Sequence, residues 1–182
     1  MKEQVNRYQK ILVVDDGPQL RELQRLFLEP QYDVETASSG ESALDALDPT
    51  VCVVLLDRKM PGLTGTETAI EIDRSEHTPA VAIVSANPPE TDIFDIPCDA
   101  CLEKPVGEHD LVGAVEELLS RPLHNPPQRE YHALRSKHRA LDKSPYGNCY
   151  TTPEYKHSVK KLGSLEERIG ITDKKQAPVA PN

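Results

Sequence analysis

The sequence predicts an α/β fold: a doubly wound, five-stranded parallel sheet with a small C-terminal α-helical module behind it. Three observations predict it. Short apolar runs recur at 11–14, 51–56, 80–84 and 100–102, and runs this short and rich in Val read as strands buried on both faces. Amphipathic segments separate them, and such an alternation of strand and helix folds into a parallel sheet with right-handed crossovers. The charge then changes sign. Residues 1–120 hold 9 basic and 24 acidic side chains, a balance of −15, whereas residues 121–182 hold 12 and 6, a balance of +6. This reversal, beside the proline-rich stretch PLHNPPQRE, marks a domain boundary.

Each element has its own signals. Residues 10–15 are the first strand. Pro18 opens a helix to about residue 29, with Leu20, Leu23, Leu26 and Phe27 as its apolar set. Residues 32–37 alternate as a second strand. Ser38 or Ser39 caps a helix carrying Ala43, Leu44 and Leu47. The third strand, 51–56, stops abruptly at Asp57, and Pro61-Gly62 and Gly65 mark a tight loop after it. The third helix runs from Thr64 to about Arg74, with Ala69, Ile70 and Ile72 inward. After the fourth strand, 80–84, prolines 88, 89 and 97 leave room for about two helical turns at most. A fourth helix there is short or replaced by a loop. The next helix runs from Val106 to about Leu119.

Residues 121–127 form a stiff linker. Tyr131, Leu134, His138 and Leu141 make a helical stripe within 128–143, broken by the turn residues of 144–148. Thr152-Pro153 then starts a second helix, with Tyr155, Val159, Leu162, Leu165 and Ile169 on its apolar face and Gly170 at its end. The two helices make a module over 128–170, and 171–182 reads as a disordered tail.

Three of the predicted strands end in charge: Asp15-Asp16, Asp57 and Lys104. Open α/β sheets carry their chemistry at the carboxyl ends of the strands. Carboxylates gathered there raise one another's pKa. A hard divalent cation resolves the repulsion, and Mg²⁺ favours a few carboxylates with water and phosphate oxygens. Lys104 adds a point charge suited to a phosphoryl oxygen.

With those residues in view, 8–120 resembles the receiver domain of two-component response regulators. The resemblance is carried by Asp15-Asp16, Asp57 with Met60-Pro61-Gly62, Ser85-Ala86 and Lys104-Pro105. It implies the flavodoxin-like strand order 2-1-3-4-5. It implies that Asp57 accepts a phosphoryl group from a sensor histidine kinase, and that Asp16, Asp57 and the Lys59 carbonyl bind Mg²⁺ directly, with Asp15 acting through water. Ser85 and Lys104 would contact the phosphoryl oxygens. Such a chain is a phosphoacceptor that labels itself from small phosphodonors and dephosphorylates itself, not an enzyme acting on other substrates. Cys101 stands where many receivers carry a switching Tyr or Phe, so the usual route out of the pocket is altered. The segment 87–97, with Ile93, Phe94 and Ile96 as its anchors, is the candidate replacement. The stretches YHALRSKHRALDKS and PEYKHSVKKLGSLEERI resemble the HalX domain found behind receivers in haloarchaeal regulators.

No apolar run approaches 18 residues and the first ten residues are polar, so the expected site of action is the cytoplasm, with no membrane partner. Four cysteines suggest no disulfide framework. Cys98 and Cys101 form a C-x-x-C that lacks a second pair for zinc and a helix N-terminus to activate a redox couple. His124, His132, His138 and His157 form no metal spacing. The basic segment carries no recognition-helix motif. DNA binding through it is the alternative to docking on the acidic first domain, and a second copy of the chain is a further partner to test.

Overall fold

The computed structural model describes residues 9–121, 125–144 and 149–171. The first eight residues, 122–124 of the expected linker with His124, the break at 145–148 and the tail from 172 lie outside the described residues. The strands are β1 (Lys10–Val14), β2 (Asp33–Ala37), β3 (Val51–Asp57), β4 (Ala80–Ser85) and β5 (Ala100–Glu103). They form one parallel sheet in the order β2-β1-β3-β4-β5. The helices are α1 (Pro18–Leu28), α2 (Gly40–Asp45), α3 (Gly65–Arg74), α4 (Glu108–Ser120), α5 (Pro126–Asp142) and α6 (Pro153–Ile169).

Strand alternation divides the core in two. Ile11, Val13, Val53, Leu55 and Val84 face α1 and α4, where Leu28, Leu111, Val115 and Leu118 cover them. Leu12, Val14, Val54, Leu56, Val81 and Ile83 face the other way, against Ala43 of α2 and Ala69 and Ile72 of α3. Ser39 caps α2 in a reciprocal box with Ser42, and Thr64 caps α3 in the same way with Glu67.

Residues 86–97 hold no α-helix. A 3-10 turn, Thr91–Asp95, stands between β4 and β5, and it buries Ile93 with Ile96 just after it. The rest of that face is covered by the C-terminal helices. Leu141 of α5 and Tyr155 of α6 belong to the same buried cluster as Val54, Leu56, Val81 and Ile83. Tyr131, Leu134, Leu162 and Leu165 pack the two helices on each other. Asn125 and Thr152 cap α5 and α6, each with proline in the first turn, and Gly170 ends α6 at φ 72°.

Three inward assignments are corrected. Leu20, Leu23 and Leu26 lie 44–51 % exposed, and Gln24 and Leu28 are the buried residues of α1. The polar residues turn inward because Asp15 takes their donors: Gln24 Nε2 lies 3.5 Å from its Oδ2, and Arg21 Nη1 donates to its backbone oxygen at 2.5 Å. In α3, Thr68 is buried and Ile70 only half-buried; the Thr68 hydroxyl bonds the Thr64 carbonyl, which satisfies it inside. In α6, Ser158 is buried and Val159 stands at the surface, because the Ser158 hydroxyl lies 3.1 Å from His138 Nε2 and bonds the Tyr155 carbonyl.

Because Leu141 is 2 % exposed within the core of the sheet, Leu141→Ala should cost about 2–5 kcal/mol of stability. Denaturant unfolding followed at the sheet and at α5 should give one shared, weakened transition; a variant as stable as the parent would separate the tail from the core.

Candidate functional site

Parallel register sets the site. Val14 pairs with Leu56 and Asp57 with Val84, so the residues ending β1, β3 and β4 emerge side by side. Ser85 pairs with Glu103, which brings Lys104 to the same edge. The turn after β3 is held against it: a Cβ on Gly65 would stand 2.0 Å from the Asp57 carbonyl oxygen, so only glycine lets α3 begin there. Gly62, at φ 75°, takes the left-handed turn between them.

Asp15, Asp16 and Asp57 each place a carboxylate oxygen within 4.8 Å of the others. Asp15 and Asp57 are buried, and Asp16 is exposed. Lys104 bridges two of them, with Nζ 2.7 Å from Asp15 Oδ2 and 3.1 Å from Asp57 Oδ1. The Gly17 N–H donates to the other Asp15 oxygen at 2.8 Å. The Ser85 hydroxyl accepts from the Asn87 N–H at 3.2 Å, and the Ser85 carbonyl accepts from the Lys104 N–H at 2.8 Å. Lys59 stands exposed beyond Asp57.

Burial pushes the Asp57 carboxyl above its usual range; Lys104 pulls it down, and Asp15 and Asp16 push it up again. Burial works against the Lys104 ammonium, yet Asp15 and Asp57 outweigh it and hold the ammonium above its usual range. One cation bridges two acids with a third beside them, so the cation is well placed and Asp57 remains under-neutralised. Hard oxygen donors with a deficit of positive charge fit a divalent cation such as Mg²⁺. Asp57, Asp16 and the chain after Asp57 are the groups able to hold it.

The sequence pattern missed three participants. Arg21 and Gln24 fix Asp15 from the face opposite the leucines of α1. Arg58 pairs with Asp92 of the 3-10 turn, and its position directly after Asp57 was its only signal. Ser85, Lys104 and Arg58 line one end of a cleft of about 860 Å³ that continues between β5, α4 and α5, past Cys101 and Arg135.

The sequence pattern of the response regulator receiver domain matches residues 11–116. A putative transcriptional regulator of Haloferax volcanii is 46 % identical over 141 residues, 77 % of this chain and 24 % of that protein. A match of that length extends past residue 121, into the helices beyond the sheet. A CpxR homolog of Haemophilus influenzae, a transcriptional regulatory protein, is 37 % identical over 62 % of this chain and 51 % of its own. The chain thus spans about a quarter of the first of these relatives and about half of the second. Among solved structures, the receiver domain protein of Clostridium thermocellum is 29 % identical over 61 % of this chain and 94 % of its own, with a TM-score of 0.56. The response regulator TrrA of Thermotoga maritima, in complex with Mg²⁺ and BeF, is 32 % identical over 61 % of this chain and 99 % of its own, with a TM-score of 0.54. Among the described residues, no helix is long and apolar enough to cross a membrane.

A carboxyl raised by burial destabilises the fold once ionised, so its contribution is present at low pH and is lost as pH rises through its folded-state pKa. Asp57→Asn should therefore match the parent in stability at low pH, exceed it increasingly as pH rises from the ordinary carboxylate range to that folded-state pKa, and keep a constant advantage above it. Melting curves across pH in the absence of divalent cation check this, and a constant difference at every pH would remove the burial argument.

Proposed function

The chain belongs to the response regulator receiver domain family, and on that premise we propose that Asp57 accepts a phosphoryl group from a sensor histidine kinase in the cytoplasm and signals through α5 and α6. One observation carries the reading: the bridge from Asp15 through Lys104 to Asp57, which keeps a nucleophilic carboxylate part-neutralised at the open edge of the sheet. An Asp57 oxygen attacks phosphorus in line with the leaving imidazole nitrogen of the kinase histidine. Lys104 turns from the carboxylates to the equatorial oxygens as their charge grows, and the Ser85 hydroxyl donates to another of them. Asp15 fixes Lys104. Asp16, Asp57 and the Lys59 carbonyl, with Asp15 acting through water, would hold Mg²⁺, which would supply neutralisation of the remaining charge.

The kinase must lay its histidine over Asp57, so it docks on what surrounds the pocket. α1 begins two residues after Asp16, and its exposed Leu20, Leu23 and Leu26 offer an apolar row there. A contiguous exposed apolar row is the mark of an interaction surface.

Output takes a route without an aromatic residue at position 101. Arg58, paired with Asp92, is adjacent to Asp57 in sequence, and a phosphoryl group beside it offers a stronger anion. Release of Asp92 frees the 3-10 turn, whose Phe94 ring packs 5.2 Å from the His138 ring and 6.2 Å from that of Tyr155. The relatives are named as transcriptional regulators, and DNA binding by the basic segment is the competing output. Docking is favoured because Arg129 and Lys137 already bond Asp99 and the Ile96 carbonyl of the first domain. We propose the HalX-like unit, expected over 128–170 behind a linker of 121–127 but with its first helix already begun at Pro126, as a module that phosphorylation loosens or tightens on the receiver.

Asp57→Asn should abolish labelling from both acetyl phosphate and the kinase, whereas Leu23→Glu should slow only the kinase, by about tenfold or more. Full labelling of Asp57→Asn would dismiss the nucleophile, and equal rates for Leu23→Glu would dismiss the docking face. Beryllofluoride with Mg²⁺ should change hydrogen exchange across 91–95 and 126–142, and Arg58→Ala should abolish the change in both; changes confined to the loops after β3 and β5 would defeat this route.

A further inference from the structure

Two thiols lie outside the acidic pocket, where β5 begins. The sulfurs of Cys98 and Cys101 are 3.7 Å apart. Residues three apart on an extended strand point to opposite faces; the bend at Asp99 brings these two together. Cys98 is 4 % exposed, and Cys101 forms part of the wall of the 860 Å³ cleft. Of the two residues, Cys101 is the one on the cleft side.

The hydrogen bond from Cys101 holds the Cys98 thiol below its usual range against the effect of burial, with help from Lys137 and Arg58. The same bond and the same burial push Cys101 well above its range. One proton is shared, and the pair ionises as a unit. Lys137 is a residue of α5, 6 % exposed, and donates to the Ile96 carbonyl at 2.5 Å. The cation that favours ionisation therefore arrives only when the tail is docked.

Asp99, between the two thiols, holds that tail. Its carboxylate accepts from Arg129 Nε at 2.7 Å and Arg129 Nη2 at 2.9 Å, and from the Val81 N–H at 2.8 Å. The Cys101 N–H donates to Ser136 Oγ at 3.2 Å. A change in the bend from 98 to 101 thus acts on two anchors of α5.

We propose that Cys98 and Cys101 are a dithiol site that a small hydroperoxide oxidises to a disulfide, and that the bond loosens α5 from β5. The dithiol first loses one proton to solvent, which the hydroxide expelled in the last step takes up as water; transfer of the remaining shared proton from Cys101 to Cys98 then leaves the Cys101 thiolate facing the cleft. It attacks one peroxide oxygen, the O–O bond breaks, and Cys101 becomes a sulfenic acid while hydroxide (or alkoxide) leaves. That base takes the Cys98 proton and departs as water or an alcohol. The Cys98 thiolate attacks the Cys101 sulfur, the S–S bond forms and hydroxide is expelled. Two thiols lose two electrons, and the peroxide gains them. The sulfurs must close from 3.7 Å to about 2.05 Å, which tightens the bend and shifts the Asp99 carboxylate from the Arg129 fork. This site does not depend on the phosphoacceptor reading.

The reduced full chain is titrated with hydrogen peroxide, alkylated without reduction and mapped by peptide mass. The peptide carrying Cys98 and Cys101 should lose two hydrogens and resist alkylation until reduced, about tenfold sooner than Cys52 or Cys149 lose their thiols. Free thiols at both positions, added oxygens in place of the linkage, or earlier oxidation of Cys52 or Cys149 would overturn the site. Hydrogen exchange over 126–142 should rise in the oxidised protein and return on reduction. Peroxide-treated Cys101→Ser, or Cys101→Ala where the serine variant does not fold, should show no rise. Equal exchange over 126–142 in oxidised and reduced wild-type protein would overturn the control of α5.

Discussion

A parallel sheet must be covered on both faces, because its strands carry apolar side chains on both. That requirement is met easily on the side of α1 and α4. On the other side α2 and α3 cover β1 and β3, and the short proline-bounded segment between β4 and β5 cannot cover the rest. Its single 3-10 turn buries Ile93 and little else. That face is completed from elsewhere: α5 packs on β5 and both C-terminal helices pack on the 3-10 turn, so that Leu141 and Tyr155 join the buried cluster that holds Val81 and Ile83. The C-terminal helices pack where a fourth helix of the sheet would lie. Their attachment follows from the same prolines that shorten that segment.

The contacts that fix this docking are polar as well as apolar. The first 120 residues carry a balance of −15 and the rest +6, but exposed charge alone holds little. The Lys161–Glu130 pair between α6 and α5 is of that exposed kind. The Arg129–Asp99 pair differs, with Asp99 4 % exposed at its side chain. Desolvating such a pair costs much of what its attraction returns. It is tolerated because Val81 gives Asp99 a further donor and Pro79 gives Arg129 a further acceptor, at 3.1 Å.

The strands and their order of chemistry were legible because a buried strand that ends in charge is a strong local pattern. Asp15, Asp16, Asp57, Ser85 and Lys104 all emerge at one edge. The stripe of α5 was legible as well, since Tyr131, Leu134, His138 and Leu141 are all buried. Periodicity failed where a polar group made the decision. It groups the leucines of α1 on one face but does not say which face is inward; Asp15 decides that by taking Arg21 and Gln24. The C-x-x-C looked inert because no helix N-terminus adjoins it. Its cation is Lys137, 36 residues further on in sequence, and only the docked fold reveals it.

The two proposed inputs reach α5 at different points. The phosphoryl signal enters through Arg58, Asp92 and Phe94 and arrives at His138, in the C-terminal half of α5. The thiol signal enters through Asp99 and arrives at Arg129, in its first turn. A helix held at both ends by one core does not answer the two independently. Whatever raises the free energy of the docked state lowers the work left for the other input. By linkage, an oxidised pair at 98 and 101 and a phosphoryl group at Asp57 that favour the same loosened state favour each other by equal factors. Lys137 adds a return path, because undocking removes the cation that favours ionisation of the dithiol. The reduced pair would therefore be oxidised fastest while α5 is docked, an effect on rate that leaves the equilibrium coupling between the two proposed inputs unchanged.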